Sequence, residues 1–351
     1  MKQNQRAKRY FSALMVVAIT ALLCVVPVHS AANASSTLDQ TLGGEAEYVV
    51  SLDLRRLFGS GSDSAAGRIL IPGGQAVGVA IHTKGVLVVG LSDGAGLQAG
   101  LRAGDVLLSV NGRPLESADI LTETVNAAAG QPLSILLERN GKQQTMLATP
   151  TFDESSQSYR LGVWVRDSTA GVGTLTFYDP QTQAYGALGH AITDSDTGLM
   201  LPVSEGYLMQ AEVVGVRRGE RGMPGELKGS FLREQVRLGS VEQNGAVGIY
   251  GHMDSVVQNA LYPDGLPVGT KSEVHAGAAT ILSTINGSEM VEYTVEITQV
   301  NRGSEQKSMV LHVTDERLLA ATGGIVQGMS GSPIIQDGRI VGAVTHVCVR
   351  P

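Results

Sequence analysis

The chain has 351 residues, a formal net charge of -7 and a pI of about 5.5. Its length allows two domains and a targeting segment. The acidic balance, without a basic run beyond the first ten residues, argues against a nucleic-acid partner. The 44 glycines and the low aromatic content of 4% favour a mainly β fold, in which short strands are joined by glycine turns.

The N-terminus has the features of an export signal. Basic residues between Lys2 and Arg9 precede the apolar run Tyr10–Val28, and small residues follow that run. The run lies near the lower end of the roughly 17–25 residues that span a bilayer. Residues 1–34 are therefore predicted to be a signal peptide or a signal anchor, which places the rest of the chain outside the cytoplasmic membrane.

The segment after the signal has the composition of a linker, and the two cysteines suggest neither a metal site nor a disulfide. Residues 35–66 end in FGSGSDSAAG, a composition typical of a flexible linker. The two cysteines, Cys24 and Cys348, give no metal-ligand spacing, and a disulfide between them is not expected. No metal and no cofactor are predicted.

Residues 67–147 are predicted to form a small domain. The helix-like stretch is Ser117–Ala129, and the apolar β-type runs are Val77–Ile81, Val86–Val89, Val106–Val110 and Leu133–Leu137. Glycine turns separate these runs. The pattern indicates a β domain with one main helix.

This segment resembles a PDZ domain of the bacterial type. The residues that carry the resemblance are GVLVVG at 85–90 and AGLRAGDVLLSVNGRPL at 99–115. The resemblance implies that an extended peptide is bound through backbone N–H groups and strand addition. The predicted peptide-binding residues are Gly85, Val86, Leu87 and Val88. The alternative is that the three apolar residues are ordinary core residues of a strand.

Residues 148–351 are predicted to form a second, larger β domain. Glycine-containing hairpin signals recur in this part of the chain. Asn244–Gly245 and Asp337–Gly338 are the strongest of them, because asparagine, aspartate and glycine tolerate the positive φ of tight hairpin turns.

The stretch GGIVQGMSGSPIIQD at 323–337 sets Ser330 between Gly328 and Gly331. A nucleophilic serine needs backbone N–H groups directed at the oxyanion that it creates, and glycine lets the required tight turn form. Glycine and serine also occur together in ordinary turns between apolar runs. The stretch is therefore a candidate nucleophile whose role depends on the rest of the chain.

A serine nucleophile needs a general base, most often histidine. His190 stands out among the seven histidines because small residues surround it in YGALGHAITD and leave room for the imidazole at a cleft. His29 falls in the signal region, His82 in the PDZ-like segment and His275 in a small polar stretch. His312 and His346 lie in strand-like runs, where a structural histidine is the commoner explanation, and His252 stays the alternative base.

The third member of such a site would be a carboxylate that orients the imidazole. Asp315 is the first candidate because it follows a β-like run shortly before the serine. Asp194, Asp196 and Asp254 compete with it, and the sequence does not separate the four.

Residues 67 to about 347 resemble the stage IV sporulation protein B family, which comprises exported signalling serine peptidases of endospore-forming bacteria. The stretches that carry the likeness are GTLTFYDPQTQAYGALGHAITDSDTG, GGIVQGMSGSPIIQDGRIVGAVTHV and the PDZ-like region. The resemblance implies a PDZ domain followed by a chymotrypsin-like two-barrel serine peptidase domain. It further implies His190, Asp315 and Ser330 as the catalytic residues, with the N–H groups of Gly328 and Ser330 as the oxyanion hole.

The family resemblance also implies what the protein acts on. Its members cleave themselves and a regulator of a membrane-embedded metalloprotease in the space between forespore and mother cell, which triggers processing of a late sporulation sigma factor. Expected contacts are this protein substrate, the chain's own N-terminal segment and, through that segment, the membrane. Because HVCVRP ends the chain before the further segment of family members, an incomplete specificity pocket is expected.

Two other functions compete with this one. The first is a PDZ scaffold attached to an inactive peptidase-like domain. The second is a general quality-control protease, against which the order of the domains counts, since those enzymes place the PDZ domain after the peptidase domain.

Overall fold

The computed structural model describes residues 47–50, 67–220, 223–231, 236–302 and 308–348. The predicted signal segment and most of the linker therefore lie outside the described residues. Among the helices in the described parts of the chain, none has the length and apolar character needed to cross a membrane.

The described chain consists mainly of strands. The three helices are α1 (Ala95–Gln98), α2 (Ala118–Ala127) and α3 (Glu316–Thr322). The strands are β1 (Glu47–Val50), β2 (Ile69–Pro72), β3 (Ala76–Leu91), β4 (Val106–Val110), β5 (Arg113–Pro114), β6 (Leu133–Arg139), β7 (Lys142–Ala148), β8 (Thr151–Asp153), β9 (Ser158–Arg160), β10 (Val163–Tyr178), β11 (Ala184–Ala187), β12 (Val203–Arg217), β13 (Glu226–Phe231), β14 (Arg237–Ser240), β15 (Gln243–Gly245), β16 (Gly248–His252), β17 (Leu266–Pro267), β18 (Gly277–Asn286), β19 (Glu289–Val300), β20 (Met309–Val313), β21 (Pro333–Gln336) and β22 (Arg339–Cys348).

The C-terminal part of the chain forms a closed barrel together with the N-terminal strand β1. Its strands follow the order β1-β20-β19-β18-β21-β22, and each neighbouring pair is antiparallel. Alternate residues of β20 are buried, namely Met309, Leu311 and Val313, because successive side chains of a strand point to opposite faces. They pack with Ile281 and Ile297 in one core cluster inside the barrel.

A second, curled sheet of 14 strands contains the first part of the peptidase-like region. The long strands β3 and β10 pair antiparallel from one end to the other, and β12 covers the other edge of β3 over residues 77–83. On the far side, β10 continues through β11 and β16 to β15. The core of this sheet includes Val79, Leu175, Tyr185, Leu208 and Ile249.

A PDZ-like unit grows from the same two long strands. The second half of β3 pairs with β4, which pairs with β6, and β6 pairs with β7. This unit has its own core, to which α2 contributes Leu121 and Val125. Ser117 caps α2 by accepting a hydrogen bond from the N–H of Ile120, so the helix predicted at 117–129 is confirmed, with ends inside the predicted bounds.

The two apolar runs predicted at 77–81 and 86–89 are one strand, β3, and not two. Gly85, with φ of +80°, bends this strand between its two halves. The first half packs in the core of the curled sheet, and Val86 and Val88 pack in the PDZ-like core. The PDZ-like unit therefore lies, in sequence, between the first half of β3 and the main part of β10. The domain boundaries predicted at residues 67 and 147 stay predictions.

The predicted fold class, a mainly β chain with a PDZ-like unit and two barrel-like sheets, is confirmed. The Asp337–Gly338 hairpin between β21 and β22 is also confirmed, and both turn residues have positive φ. The Asn244–Gly245 signal predicted the right hairpin but the wrong turn. Gly245 pairs with Gly248, so the turn lies at Ala246 and Val247.

Candidate active site

Ser330 lies in the turn between α3 and β21, and the glycines on each side of it are required by the geometry. Gly328 has φ of +96°, and a Cβ there would lie 2.9 Å from the Cβ of Leu227. Gly331 has φ of +100°, and a Cβ there would overlap the carbonyl oxygen of Thr174. Any larger residue would push the turn away from its neighbours. The glycines therefore let the serine turn approach β10 closely.

His190 follows β11 in the curled sheet. Leu188 and Gly189, with φ of +70° and +68°, form the turn that presents it. The imidazole is half-buried, and its Nδ1 lies 2.9 Å from the carbonyl oxygen of Ala191. Burial lowers the pKa of His190 below its usual 6.5, and the hydrogen bond to Ala191 opposes this effect. A lowered pKa favours the neutral ring, which is the form that a general base requires.

Thr174 of β10 joins the histidine turn to the serine turn. Its N–H donates to the carbonyl oxygen of Ser330 at 3.1 Å, and its hydroxyl donates to the carbonyl oxygen of Gly328 at 2.8 Å. The carbonyl of Thr174 accepts from the N–H of Leu188, also at 3.1 Å. Thr174 is almost fully buried. One residue therefore binds both segments that carry the candidate nucleophile and base.

The Ser330 hydroxyl donates to the carbonyl oxygen of Thr345 on β22 at 3.2 Å, and not to His190. Thr345 also faces the histidine turn, because a Cβ on Gly189 would lie 2.8 Å from the Cγ2 of Thr345. Thr345 thus contacts both turns. In this arrangement the hydroxyl must change its acceptor before His190 can take its proton.

The predicted oxyanion donors, the N–H groups of Gly328 and Ser330, belong to the same turn. Within the described residues, neither N–H donates a hydrogen bond to a protein acceptor. The N–H of Met329 between them donates to Val326 at 3.1 Å, and that of Gly331 donates to Val344 at 2.7 Å. The two main-chain N–H groups that flank Met329 can therefore donate to a bound ligand, as the donors of an oxyanion hole do.

Asp315 lies at the start of α3, where it acts as the N-cap. Its carboxylate accepts hydrogen bonds from the N–H groups of Arg317, Leu318 and Thr294, and from the Arg317 guanidinium at 2.7 Å. The hydrogen bond from Arg317 is the main reason why the pKa of Asp315 falls to about 2. His190 is not among the partners of this carboxylate. The structure brings Ser330 and His190 into one neighbourhood but gives Asp315 a helix-capping position.

The competing carboxylates also have their own partners. Asp194 is fully buried, 3.1 Å from the Nε of Arg166, and Asp196 lies 2.7 Å from the same guanidinium. Asp254 forms an exposed ion pair with Arg237 at 3.1 Å. These pairs favour structural roles for the three carboxylates.

The other histidines within the described side chains lie elsewhere. His252 pairs with Glu242 at 2.7 Å, and His275 pairs with Asp337 at 2.8 Å, both at the surface. His82 is exposed on β3, and His312 is half-buried on β20. The side chains of His29 and His346 lie outside the described residues. Across the described ranges, no group of three or more histidine, cysteine, aspartate or glutamate residues could hold a metal ion.

The segment predicted to bind peptide, Gly85–Val88, lies inside the sheet. Leu87 pairs with Arg166 of β10 on one side and with Val106 of β4 on the other. Val86 and Val88 are fully buried, and a Cβ on Gly85 would lie 2.5 Å from the carbonyl oxygen of Leu107. A strand with two neighbours has no free edge for a peptide. These contacts favour the core-strand alternative, and peptide binding by this segment stays a prediction.

Two residues near the site were not found from the sequence. Thr174 is a lone threonine in an apolar strand, and no local signal distinguishes it from other β-branched strand residues. Asn244, assigned to a hairpin turn, instead holds the loop after His190. Its amide accepts from the N–H of Ile192 at 2.8 Å and donates to the carbonyl oxygens of Ile192 and Leu201 at 2.7 and 3.0 Å.

Comparison with known proteins places this site within a peptidase family. Residues 157–351 match the family model described as SpoIVB peptidase S55, and this range includes both Ser330 and His190. The match covers more than half of the chain. It begins shortly before β9 and includes every strand of the closed barrel except β1.

Shorter similarities link the chain to other proteases. It is 38% identical over 58 residues to zinc metalloprotease RasP of Geobacillus kaustophilus, covering 16% of this chain and 14% of that protein. It is 39% identical over 99 residues to a DegP-like periplasmic serine endoprotease of Pseudomonas putida, covering 23% and 20%. The chain thus spans a quarter or less of the length of these curated relatives.

Among solved structures, the chain is similar to the PDZ domain of an SdrC-like protein from Listeria monocytogenes. The identity is 19%, and the similarity covers 23% of this chain and 87% of that domain, with a TM-score of 0.22. The PDZ-like assignment therefore depends on the strand order and helix position described above.

Proposed function

Because the chain belongs to the SpoIVB peptidase S55 family, a family of serine peptidases, we propose that it is a serine endopeptidase with Ser330 as nucleophile and His190 as general base. The observation that supports this most strongly is the position of Thr174. It binds the serine turn through Ser330 and Gly328 and the histidine turn through Leu188. The buried Thr174 therefore contacts the turns of both candidate residues, although these turns belong to different sheets.

The chemistry would proceed as acyl transfer. A hydrogen bond from Nδ1–H of His190 to the Ala191 carbonyl favours the tautomer whose Nε2 carries the lone pair that a base needs. The Ser330 hydroxyl turns from Thr345 to His190, loses its proton to the imidazole and attacks the scissile carbonyl carbon. His190 then gives that proton to the leaving amine. Water then loses a proton to His190 and attacks the acyl carbon, and the ester bond breaks as His190 returns the proton to the Ser330 oxygen.

The oxyanion of the tetrahedral intermediate would be bound by the N–H groups of Gly328 and Ser330. Their lack of protein acceptors in the described chain supports this role. Loss of one such donor lowers turnover by roughly 100–1000-fold in other enzymes. The orienting role predicted for Asp315 stays a prediction, and in the structure the Ala191 carbonyl occupies the position on Nδ1 that such a carboxylate would take.

We also propose which proteins the enzyme cleaves, on the basis of the family resemblance. The enzyme would cleave its own N-terminal segment and a protein that regulates a membrane-embedded metalloprotease, and would thereby trigger processing of a late sporulation sigma factor. The export features of residues 1–34 support a location outside the cytoplasmic membrane, between forespore and mother cell. The PDZ-like unit would contribute to the choice of partner.

A second candidate function is a binding scaffold with an inactive peptidase-like domain. One observation favours it: the Ser330 hydroxyl donates to Thr345 at 3.2 Å and not to the general base. Catalytic hydrogen bonds are often absent until substrate binds, so this geometry is compatible with both functions.

The test compares residues 35–351 with and without Ser330→Ala. The unmodified protein should shorten from its N-terminus over time and should react covalently with a fluorophosphonate probe, while the Ser330→Ala protein should do neither. His190→Ala serves as the second inactive variant, with His252→Ala as its matched control on the surface. Equal behaviour of the unmodified and Ser330→Ala proteins in both assays would favour the scaffold.

A further inference from the structure

Arg166 connects the PDZ-like unit to the loop that follows the general base. It lies on β10, opposite Leu87 of β3. Its guanidinium contacts three consecutive loop residues: Nε is 3.1 Å from Asp194, Nη1 donates to the Ser195 hydroxyl at 3.3 Å, and Nη2 donates to Asp196 at 2.7 Å. One side chain from the strand therefore holds the loop at three points.

The loop, residues 191–201, is folded around the carboxylate of Asp194. This carboxylate is fully buried and accepts from the N–H groups of Asp196 and Thr197 at 3.1 and 2.8 Å, as well as from the Thr197 hydroxyl at 2.9 Å. A buried carboxylate is stable only when it is paired and hydrogen-bonded. Arg166 supplies the cation, so the compact shape of the loop depends on it.

The two sides of the loop contact different parts of the protein. Leu199 lies against Gly104 of the PDZ-like unit, where an added Cβ would be 2.8 Å from the Cδ1 of Leu199. On the other side, the Asn244 amide binds Ile192, two positions after His190, at 2.8 and 2.7 Å. The loop therefore spans the distance between the PDZ-like unit and the histidine turn.

We propose that Arg166 is a positioning residue, which fixes His190 relative to Ser330 through loop 191–201. This inference rests on the proposed peptidase function, because it assigns a role to the same site. Loss of the Arg166 cation would remove the ion pair with the buried Asp194 and the contacts with Ser195 and Asp196, so the loop would loosen around the carboxylate. The imidazole, joined directly to the loop, would move with it.

The experiment uses the full chain and its Arg166→Gln and Arg166→Lys variants. Arg160→Gln is the matched control, because Arg160 lies at the end of β9, six positions before Arg166, and pairs with Asp153 at 3.3 Å at the surface. The rate of labelling by a small fluorophosphonate probe should fall at least tenfold in Arg166→Gln. It should recover in part in Arg166→Lys and stay within twofold of the unmodified rate in Arg160→Gln. For a short peptide substrate, kcat should fall while KM changes little.

Two further measurements test the positioning role of Arg166. Asp196→Asn weakens only the exposed contact of Arg166 and should lower the labelling rate a few-fold even if Arg166→Gln fails to fold. The imidazole NMR signals of His190 in the Ser330→Ala background should shift when Arg166 becomes glutamine, and this readout needs no activity. If the unmodified chain is not labelled, the proposed function fails, and the NMR signals alone decide the inference. Unchanged imidazole signals, or labelling of Arg166→Gln within twofold of the unmodified rate, would overturn it.

Discussion

The hydroxyl of Thr174 donates a hydrogen bond of 2.8 Å to the carbonyl oxygen of Gly328, across 154 positions of sequence. This bond joins the curled sheet to the turn in front of the closed barrel. Both groups are buried, so neither can replace the bond with one to water. The relative position of the two sheets at the candidate site therefore depends in part on a single threonine hydroxyl.

We predict that Thr174→Val lowers both stability and activity. Valine keeps the shape of the side chain but leaves the buried Gly328 carbonyl without its donor, which costs about 1–3 kcal/mol. Chemical unfolding should report this loss of stability, and fluorophosphonate labelling should slow because the serine turn is less well fixed.

Thr176→Val is the matched control for this change. Thr176 lies two residues further along the same strand and is also buried, yet its hydroxyl has no hydrogen-bond partner within the described chain. Replacing an unsatisfied buried hydroxyl with a methyl group should be neutral or stabilising. Equal destabilisation by the two substitutions would contradict the role assigned to the Thr174 hydroxyl.

Gly331→Ala should abolish activity by moving the serine turn. The new methyl group would overlap the Thr174 carbonyl and would lie 2.6 Å from the N–H nitrogen of Leu188. The turn would have to move away from the strand that also supports the histidine turn. Gly171→Ala is the control, since a Cβ there meets nothing within 4 Å. Labelling of Gly331→Ala at the unmodified rate would show that the close approach is not needed.

The pH dependence of activity should reflect the lowered pKa of His190. A base must be neutral to accept a proton, and burial holds the pKa of His190 below 6.5. The rate of peptide hydrolysis should therefore reach half of its plateau below pH 6.5 and stay level through pH 7–8. His275→Ala should not move this midpoint, because His275 pairs with Asp337 at the surface. A midpoint clearly above pH 6.5 would argue against His190 as the base.

The lowered pKa of His190 also predicts how the free energy of unfolding depends on pH. Between the folded pKa of His190 and 6.5, the unfolded chain binds more protons than the folded chain. The contribution of neutral His190 is therefore fully present above pH 6.5 and is lost as the pH falls through the folded pKa. Unfolding of the unmodified protein and of His190→Gln, measured between pH 5 and 8, should show a smaller pH dependence in the variant.

Local signals predicted the elements of the PDZ-like unit well. The run Val106–Val110 coincides with β4, and α2 begins directly after Ser117, its predicted first residue. The Asp337–Gly338 turn is also where it was predicted. Each of these features is determined by residues within a few positions of one another, through strand propensity, helix capping and turn chemistry.

The position of the predicted peptide-binding segment inside the sheet could not be predicted from local sequence, because it depends on a long-range strand pairing. Gly85–Val88 has the composition of an exposed glycine loop and strand, but Arg166 of β10 pairs opposite Leu87 from 79 positions further along the chain. Only the long antiparallel contact of β3 with β10 makes this segment internal. A bulky substitution such as Gly85→Trp would disturb folding, since a Cβ there already meets the Leu107 carbonyl at 2.5 Å.

Asp315→Asn separates a catalytic role from a capping role. If Asp315 orients His190, the rate of peptide hydrolysis should fall by up to about ten-thousand-fold. The contacts of its carboxylate with Arg317, Leu318 and Thr294 favour the capping role. Asparagine also caps helices well, so we expect the rate to fall only a few-fold. Asp254→Asn, which alters an exposed ion pair with Arg237, is the control for the loss of one carboxylate.

The stability of the same variants should depend on pH in a defined direction. The pKa of Asp315 lies at about 2 in the folded chain, below its usual 3.8. Its charged form therefore stabilises the fold above about pH 4, and this contribution is lost as the pH falls towards 2. In urea unfolding, Asp315→Asn should be less stable than the unmodified protein at pH 7, and the difference should shrink at pH 3. Asp315→Ala should cost a further 0.5–2 kcal/mol or so through the lost helix cap. Full stability of Asp315→Asn at pH 7, together with a fall in rate near ten-thousand-fold, would instead return Asp315 to the catalytic site.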